Sequence, residues 1–351
     1  MKQQLTTPHC PIPSTGSTSR ITLAHGEGGL LMRRLLDERI FPALDGVRIS
    51  GAGDAAVLPR VQGAVVFTTD SFVVSPLVFP GGDIGKLCVF GTVNDLAVAG
   101  ARPLWISLAL MLEEGLRLDV LDAVLASIAA AARETGVLVA TGDTKVVPRG
   151  AVDGLFINTA GVGELVAPHS AGSAALECGD ELIVTGPIGQ HGVAVMAARE
   201  LPDLQPPPRS DCGSLLPAVD ALRQADVPIV ALRDATRGGV AAVLHEWAAD
   251  CGHAMAVDEG RLPVSAEVRG VCELLGLDPL HVANEGTMVA AVRQGSANRA
   301  IEALRAVNIS RHAGVIGRVQ SRQLSPVLVK RGLGRYLPLD EPLGAPLPRI
   351  C

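Results

Sequence analysis

Four short runs in the first half of the chain end an apolar stretch on a carboxylate or an amide: Gly53-Asp54-Ala55-Ala56, Thr68-Thr69-Asp70-Ser71, Thr92-Val93-Asn94-Asp95 and Thr141-Gly142-Asp143-Thr144-Lys145. Oxygen-only ligands suit Mg²⁺, which is held by one or two carboxylates together with substrate phosphates. Asp is also favoured at strand ends and helix caps, so one such run decides little, but four carboxylates that converge are harder to explain that way. Glycine turns accompany them: His25-Gly26-Glu27-Gly28-Gly29, Pro80-Gly81-Gly82-Asp83-Ile84-Gly85-Lys86, and Arg237-Gly238-Gly239, which opens a helix. Glycines let backbone N–H groups approach phosphate oxygens, and a helix N-terminus adds its dipole. None is a Walker A loop, because the G-x-x-x-x-G-K-[ST] spacing is absent. Lys86 and Lys145 stand beside glycine turns, where they would neutralise phosphate charge.

The second half adds Arg233-Asp234-Ala235-Thr236-Arg237, which gathers charge ahead of a helix, and Ala283-Asn284-Glu285-Gly286 after an apolar stretch. A glutamate in such a small-residue turn is a candidate general base, provided its pKa lies near the working pH. His191, in Gly189-Gln190-His191-Gly192, reads as a helix cap rather than a catalytic group. The chain ends on Cys351, in Pro348-Arg349-Ile350-Cys351, so a thiol and a carboxylate share one residue. Four prolines between Tyr336 and Cys351 fix φ and remove donors, which predicts an extended arm rather than an element. The cysteine is not a prenylation box, which needs three residues after it.

At 351 residues and 48% hydrophobic, the chain can bury the cores of two domains. Aromatics are only 3%, which argues against base-stacking platforms for nucleic acid. The net charge of −6 disfavours phosphate backbones and anionic membranes as partners. Seven cysteines without a C-x-x-C pair fit a reducing cytoplasm. No signal peptide is expected, and the longest apolar run, Leu104 to Leu112, is about half a membrane span.

These residues need elements to position them. Residues 1–20 read as a disordered extension and 21–164 as a first domain. In the latter, Ala64 to Thr69, Trp105 to Leu112, Val137 to Ala140 and Leu155 to Thr159 are expected strands. Between them, Leu121, Val124, Leu125, Ile128, Ala131 and Ala132 share one face of a helix over Asp119 to Thr135, with Asp119 as its cap. Residues 165–179 read as a linker, 180–332 as a second domain and 333–351 as the arm. In the second domain a strand is expected over Glu181 to Thr185, with helices over Val193 to Glu200, Gly239 to Asp250 and Ala297 to Val307. Two α/β domains with an arm is the coarse architecture.

Taken together, TTDSFVVSP (68–76), FPGGDIGK (79–86), GTVNDLAVAGA (91–101), TGDTKVV (141–147), RDATRGGV (233–240), LGLDP (275–279), ANEG (283–286) and the terminal PRIC are specific. From about His25 to Cys351 the chain resembles the HypE family of hydrogenase maturation factors, in the superfamily of aminoimidazole ribonucleotide synthetase and selenophosphate synthetase. The resemblance implies a two-domain aminoimidazole ribonucleotide synthetase-like α/β (α+β) fold, each domain a mixed sheet flanked by helices. It implies a homodimer that binds ATP and Mg²⁺ at or near the subunit interface and acts on its own Cys351. A carbamoyltransferase, HypF, would load that thiol, the chain would dehydrate it to a thiocyanate, and a HypC–HypD complex would accept the cyanide. On matched positions it assigns Asp54, Asp70, Asp95 and Asp143 to metal and nucleotide. Asn94, Thr144, Asp234 and Arg237 go to the nucleotide pocket, Lys86 to phosphate, and Lys145 with Glu285 to the chemistry at Cys351.

Two positions depart from the superfamily pattern: Gly53 stands where paired aspartates are common, and Gln190 where an aspartate is. The extension bearing Cys10 has no counterpart. A selenophosphate synthetase-like phosphotransfer would use an N-terminal cysteine, but Cys10 lies fifteen residues ahead of the first glycine turn. A non-catalytic nucleotide-sensing scaffold is the other alternative.

Overall fold

The computed structural model describes residues 19–49, 55–167, 170–332 and 334–342. Asp54, Cys10 and Cys351 lie outside them. After a single helical turn at Leu23–Gly26, the first half opens with α1 (Leu30–Leu35) and α2 (Phe41–Ala43), joined by a π-helical turn, Leu36–Ile40. Its sheet has the order β1-β6-β4-β5, from β1 (Val65–Phe72), β4 (Ala101–Glu113), β5 (Leu138–Val147) and β6 (Leu155–Leu165). Only β4 and β5 run parallel. A short hairpin of β2 (Val78–Phe79) and β3 (Gly82–Asp83) leads into α3 (Ile84–Val98), and α4 (Leu118–Thr135) links β4 to β5.

The predicted apolar face of α4 is the face that is buried, and Gly136, at φ 73°, ends the helix in the left-handed conformation. Asp119 is not its cap. Arg117 holds the N-cap position, and Asp119 sits in the first turn bonded to the Arg117 guanidinium and to the Val120 N–H. The helix α3 was not foreseen. Every residue in it except Lys86 and Asp95 is buried, because the sheet, α4 and the second half enclose it on all sides, and such a helix has no apolar stripe to read. Asp83 caps it, accepting from the N–H groups of Gly85 and Lys86 at 2.8 and 3.0 Å.

The second half is a seven-stranded sheet ordered β13-β12-β9-β11-β7-β10-β8. Its strands are β7 (Glu181–Val184), β8 (Ile229–Asp234), β9 (Ala254–Asp258), β10 (Met288–Val292), β11 (Gly314–Gln320), β12 (Val327–Arg331) and β13 (Arg335–Pro338). The helices around it are α5 (Gln190–Glu200), α6 (Leu216–Gln224), α7 (Gly239–Cys251), α8 (Ala266–Leu275) and α9 (Ala297–Arg305). The start of the expected arm is therefore an element: β13 pairs antiparallel with β12, from Arg331↔Arg335 to Leu328↔Pro338.

The two halves share their cores. Val193, Met196 and Val271, from α5 and α8, join the cluster of Leu87, Val89 and Phe79, while Ala97 and Val98 of α3 join the cluster of α6 and α9. Among the described residues no helix is long and apolar enough to cross a membrane.

Candidate active site

The seam between the halves is where acidic residues meet. Strand alternation sets the first contributions. In β1, Thr68, Asp70 and Phe72 oppose Gly161, Thr159 and Ile157 of β6 and point toward α3. Gly91 lets α3 approach: a Cβ there would lie 2.8 Å from the Phe72 ring. Asp95, one of the two open positions of α3, accepts from Thr68 Oγ1 at 2.8 Å, and Asp70 Oδ1 accepts from the Ser71 N–H at 2.8 Å.

From the second half, Asp234 ends β8 and Glu285 sits in the turn before β10, at 7% and 4% exposure. Burial, reinforced by Asp95 and Asp70, pushes Asp234 up to about 7. Burial and then Asp234, Asp211, Asp70 and Asp95 hold Glu285 well above the usual carboxylate range. Asp70 and Asp95 are raised too, by burial first, with the Arg237 guanidinium pulling both back. Four carboxylates of the cluster thus repel one another across the seam, with Arg233 and Arg237 as the cations that face it.

A carboxyl whose pKa is higher folded than unfolded keeps its proton longer in the folded chain. Between its ordinary value and about 7, the unfolded chain binds fewer protons, so stability falls as pH rises through that window. Asp234→Asn is therefore expected to raise the thermal midpoint of the ligand-free chain by a few degrees near neutral pH. It should also flatten the decline toward neutrality, which thermal scans at a series of pH values would measure.

Asp211, which sequence reasoning missed, seats the glutamate. Its Oδ1 accepts from the Glu285 N–H and its Oδ2 from the Gly286 N–H, both at 3.0 Å. Gly286 has no alternative, since a Cβ there would lie 1.9 Å from the Asp211 carbonyl oxygen. Nothing in the local pattern Ser210-Asp211-Cys212 marks this role, because the contact is to backbone 74 residues away.

Asn94, expected in the nucleotide pocket, clasps the second half in the ligand-free chain. Its Nδ2 donates to Gly213 O at 3.0 Å and to Glu285 O at 3.5 Å, and its Oδ1 accepts from the Leu215 N–H at 2.7 Å. Both amide hydrogens are spent on the backbone of the second half. Asn284 plays a matching part, its Oδ1 accepting from the Gly189 N–H at 2.6 Å and its Nδ2 donating to Ala235 O at 2.8 Å. His191 is not a cap: Gly189 holds that position, and the buried imidazole bonds Ser210 Oγ through Nδ1 at 2.9 Å with its ring edge-on to Phe79. Lys86, in the first turn of α3, lies 5.5 Å from the Phe90 ring centroid and opposes Glu285 at the buried Cys212 thiol, pulling down what burial and Glu285 raise.

Asp143 and Lys145 do not join the cluster. They oppose Ala109 and Met111 in the β4–β5 register, whereas Leu108, Leu110 and Thr144 turn toward the helices. Both therefore stand on the open face of the first sheet, 4.0 Å apart and about two-thirds exposed. Thr144 gives its N–H to Asp143 Oδ1 at 2.9 Å and buries its side chain. None of Asp70, Asp95 and Asp143 is at a strand end: the first and last lie within strands and Asp95 within a helix.

Beside Asp143 a cavity of about 750 Å³ opens between α1, α2 and the β5 edge. Leu36, Ile40, Phe41, Ala55, Leu110 and Gly142 are among its walls. Arg48 lies over the Phe41 ring at 4.5 Å, and its buried Nε has no hydrogen-bond partner among the described residues.

Two joined α/β halves with an acidic seam define a class, and the matching families name it. Residues 52–165 match the N-terminal domain and residues 177–330 the C-terminal domain of AIR synthase related proteins. Within that class the chain is 46% identical to the carbamoyl dehydratase HypE of Escherichia coli K12, over 95% of this chain and all of that one. Its fold matches a crystal structure of hydrogenase maturation protein HypE in complex with ATP, at a TM-score of 0.89 and 40% identity over 94% and 99% of the two chains. A HypE chain from a HypE–HypF complex matches at a TM-score of 0.77 and 39% identity, over 90% and 100%. The chain belongs to the HypE carbamoyl dehydratase family.

Proposed function

We propose that this chain is an ATP-dependent dehydratase that converts an S-carbamoyl group on its own Cys351 into a thiocyanate, the source of the cyanide ligand on the iron of [NiFe]-hydrogenase. The observation that carries this reading is the seam of Asp70, Asp95, Asp234 and Glu285, in a chain matching the family over nearly its whole length. Water is a poor leaving group from an amide. Transfer of the γ-phosphoryl of ATP to the carbamoyl oxygen turns that oxygen into phosphate, and the C≡N bond then forms as the N–H proton and the phosphate depart. The sum is thiocarbamate plus ATP to thiocyanate, ADP and phosphate.

Glu285 takes the N–H proton. A carboxylate held above its usual range is a stronger base once ionised, and Asp211 fixes its place. Asp70 and Asp95 are the residues that would hold Mg²⁺, since two half-buried carboxylates raised by burial suit a cation. Phosphate oxygens of a bound nucleotide would complete its coordination. When bound, Mg²⁺ would shield the charge of the transferring phosphoryl group. Lys86 and Arg237 supply further positive charge to the phosphates.

Lys145 and Asp143 reach this chemistry only from a second copy, because the first sheet separates them from the seam within one chain. A homodimer meets that need by covering the open face, where Phe67 is 65% and Val65 59% exposed. The cavity beside Asp143 takes the nucleotide base, with Arg48 and Phe41 at its wall. A HypF-type carbamoyltransferase loads the thiol, as the complex formed by a related HypE suggests, and a HypC–HypD complex accepts the cyanide. A reducing cytoplasm accords with the five free cysteines among the described residues.

Phosphate release is the test. With carbamoylated Cys351 the chain should release one phosphate per nitrile formed, and with the free thiol none above background. Equal ATP turnover in both states would leave only a nucleotide-driven scaffold. Gly286→Ala is expected to displace Asp211 and lower the dehydration rate about 10²-fold. Single-turnover kinetics beside an unchanged far-ultraviolet circular dichroism spectrum would check it.

A further inference from the structure

The root of the C-terminal arm is held by two histidines from different elements. Beyond β13, the Leu339 N–H donates to Val327 O at 3.0 Å, and the Leu339 side chain, 5% exposed, joins the core under α7. His245 of α7 donates from Nε2 to Leu339 O at 3.1 Å, and His281 donates from Nε2 to Asp340 O at 3.0 Å. Both bonds go to main-chain carbonyls, so they fix the path of the backbone.

That path ends beside the acidic seam. Pro342 Cγ lies 3.6 Å from where a Cβ would stand on Gly238, the residue after Arg237. His281 lies four residues before Glu285, and its segment is pressed onto α7, where a Cβ on Gly239 would meet Leu280 O and Val282 O at 2.6 Å. The arm is thus received by the segment that runs from Arg237 into α7 and by the one that leads from His281 to Glu285.

We propose that His245 and His281 form a clasp that sets the origin of the arm at the mouth of the seam and so raises the effective concentration of Cys351 there. They are positioning residues, and the proposal rests on the reading of Cys351 as the substrate thiol. From Pro342 to Cys351 there are nine residues (351 − 342), which span at most about 32 Å when fully extended. With β13 and the clasp released, the span would begin near Leu333, eighteen residues away (351 − 333). Effective concentration falls as roughly the −3/2 power of linker length, so that doubling costs about threefold in the intramolecular rate.

The experiment uses the full chain, carbamoylated at Cys351 by carbamoyl phosphate and the transferase, with dehydration followed in single turnover by mass. His281→Ala is expected to slow dehydration up to about threefold while ATP affinity holds. His281→Gln, whose amide can still donate to Asp340 O, should restore the rate. A second variant leaves the clasp intact and inserts nine Gly/Ser residues after Pro342, which should slow the step by the same factor. Faster amide exchange at Leu339 in His281→Ala reports the opened clasp. An unchanged rate despite faster exchange, or an insertion without effect, overturns the proposal. A loss of rate that comes with weaker ATP binding also overturns it, because the seam itself would then be distorted. Failure of the parent chain to lose water at all sinks the dehydratase reading instead.

Discussion

A chain carrying Glu285→Gln should bind ATP and accept a carbamoyl group on Cys351 as the parent does, yet dehydrate it about 10²- to 10⁴-fold more slowly. Glutamine keeps the shape of the side chain, and the two bonds that seat this turn come from backbone N–H groups to Asp211, so they survive the change. What is lost is the one group at the seam whose affinity for a proton is raised by all four of its acidic neighbours, Asp234, Asp211, Asp70 and Asp95. Glutamine carries no charge at any pH and so adds no repulsion to the seam, which means the variant should be no less stable than the parent, as a thermal scan would check. Single-turnover conversion of the carbamoylated chain measures it, and a rate within a few-fold of the parent would place the base elsewhere.

Cys351→Ala should abolish nitrile formation and carbamoyl-dependent phosphate release while leaving ATP affinity unchanged. Cys212, a thiol on which Glu285 acts, is no substitute. Burial, with Glu285 adding to it, holds Cys212 well above the ordinary thiol range, and a protonated thiol is a poor nucleophile. Burial likewise raises Cys88, and pushes Cys272 up to about 11. Nitrile appearing on any of these in the alanine variant would show that the terminal residue is dispensable.

What the sequence made legible follows from how each residue is used. Helix α4 reads cleanly because one face is buried and the other wet. Helix α3 does not, since all its positions but Lys86 and Asp95 are enclosed, and those two are the ones with chemistry to do. The acidic motifs were visible as motifs, but their grouping was not. A period of two sends Asp70 inward and Asp143 outward on the same sheet, and only the strand register tells which is which. Asp234 and Glu285 join Asp70 and Asp95 through a seam between halves, a relation no local pattern encodes. The parts Asp211 and Asn94 play in joining the halves were not legible for one reason: their partners are backbone groups distant in sequence. Prolines predicted an extended arm, and extension was right for Arg335–Pro338, but an extended segment beside an open strand edge becomes a strand.

The mass of the C-terminal peptide decides whether Cys351 is the substrate. The full-length chain, incubated with carbamoyl phosphate, the carbamoyltransferase and ATP, is digested and the peptide ending in Cys351 is weighed over time. The predicted course is gain of one carbamoyl group followed by loss of one water, the second step requiring ATP and vanishing in Glu285→Gln. A peptide that never changes mass, or that loses water equally well without ATP, would contradict it.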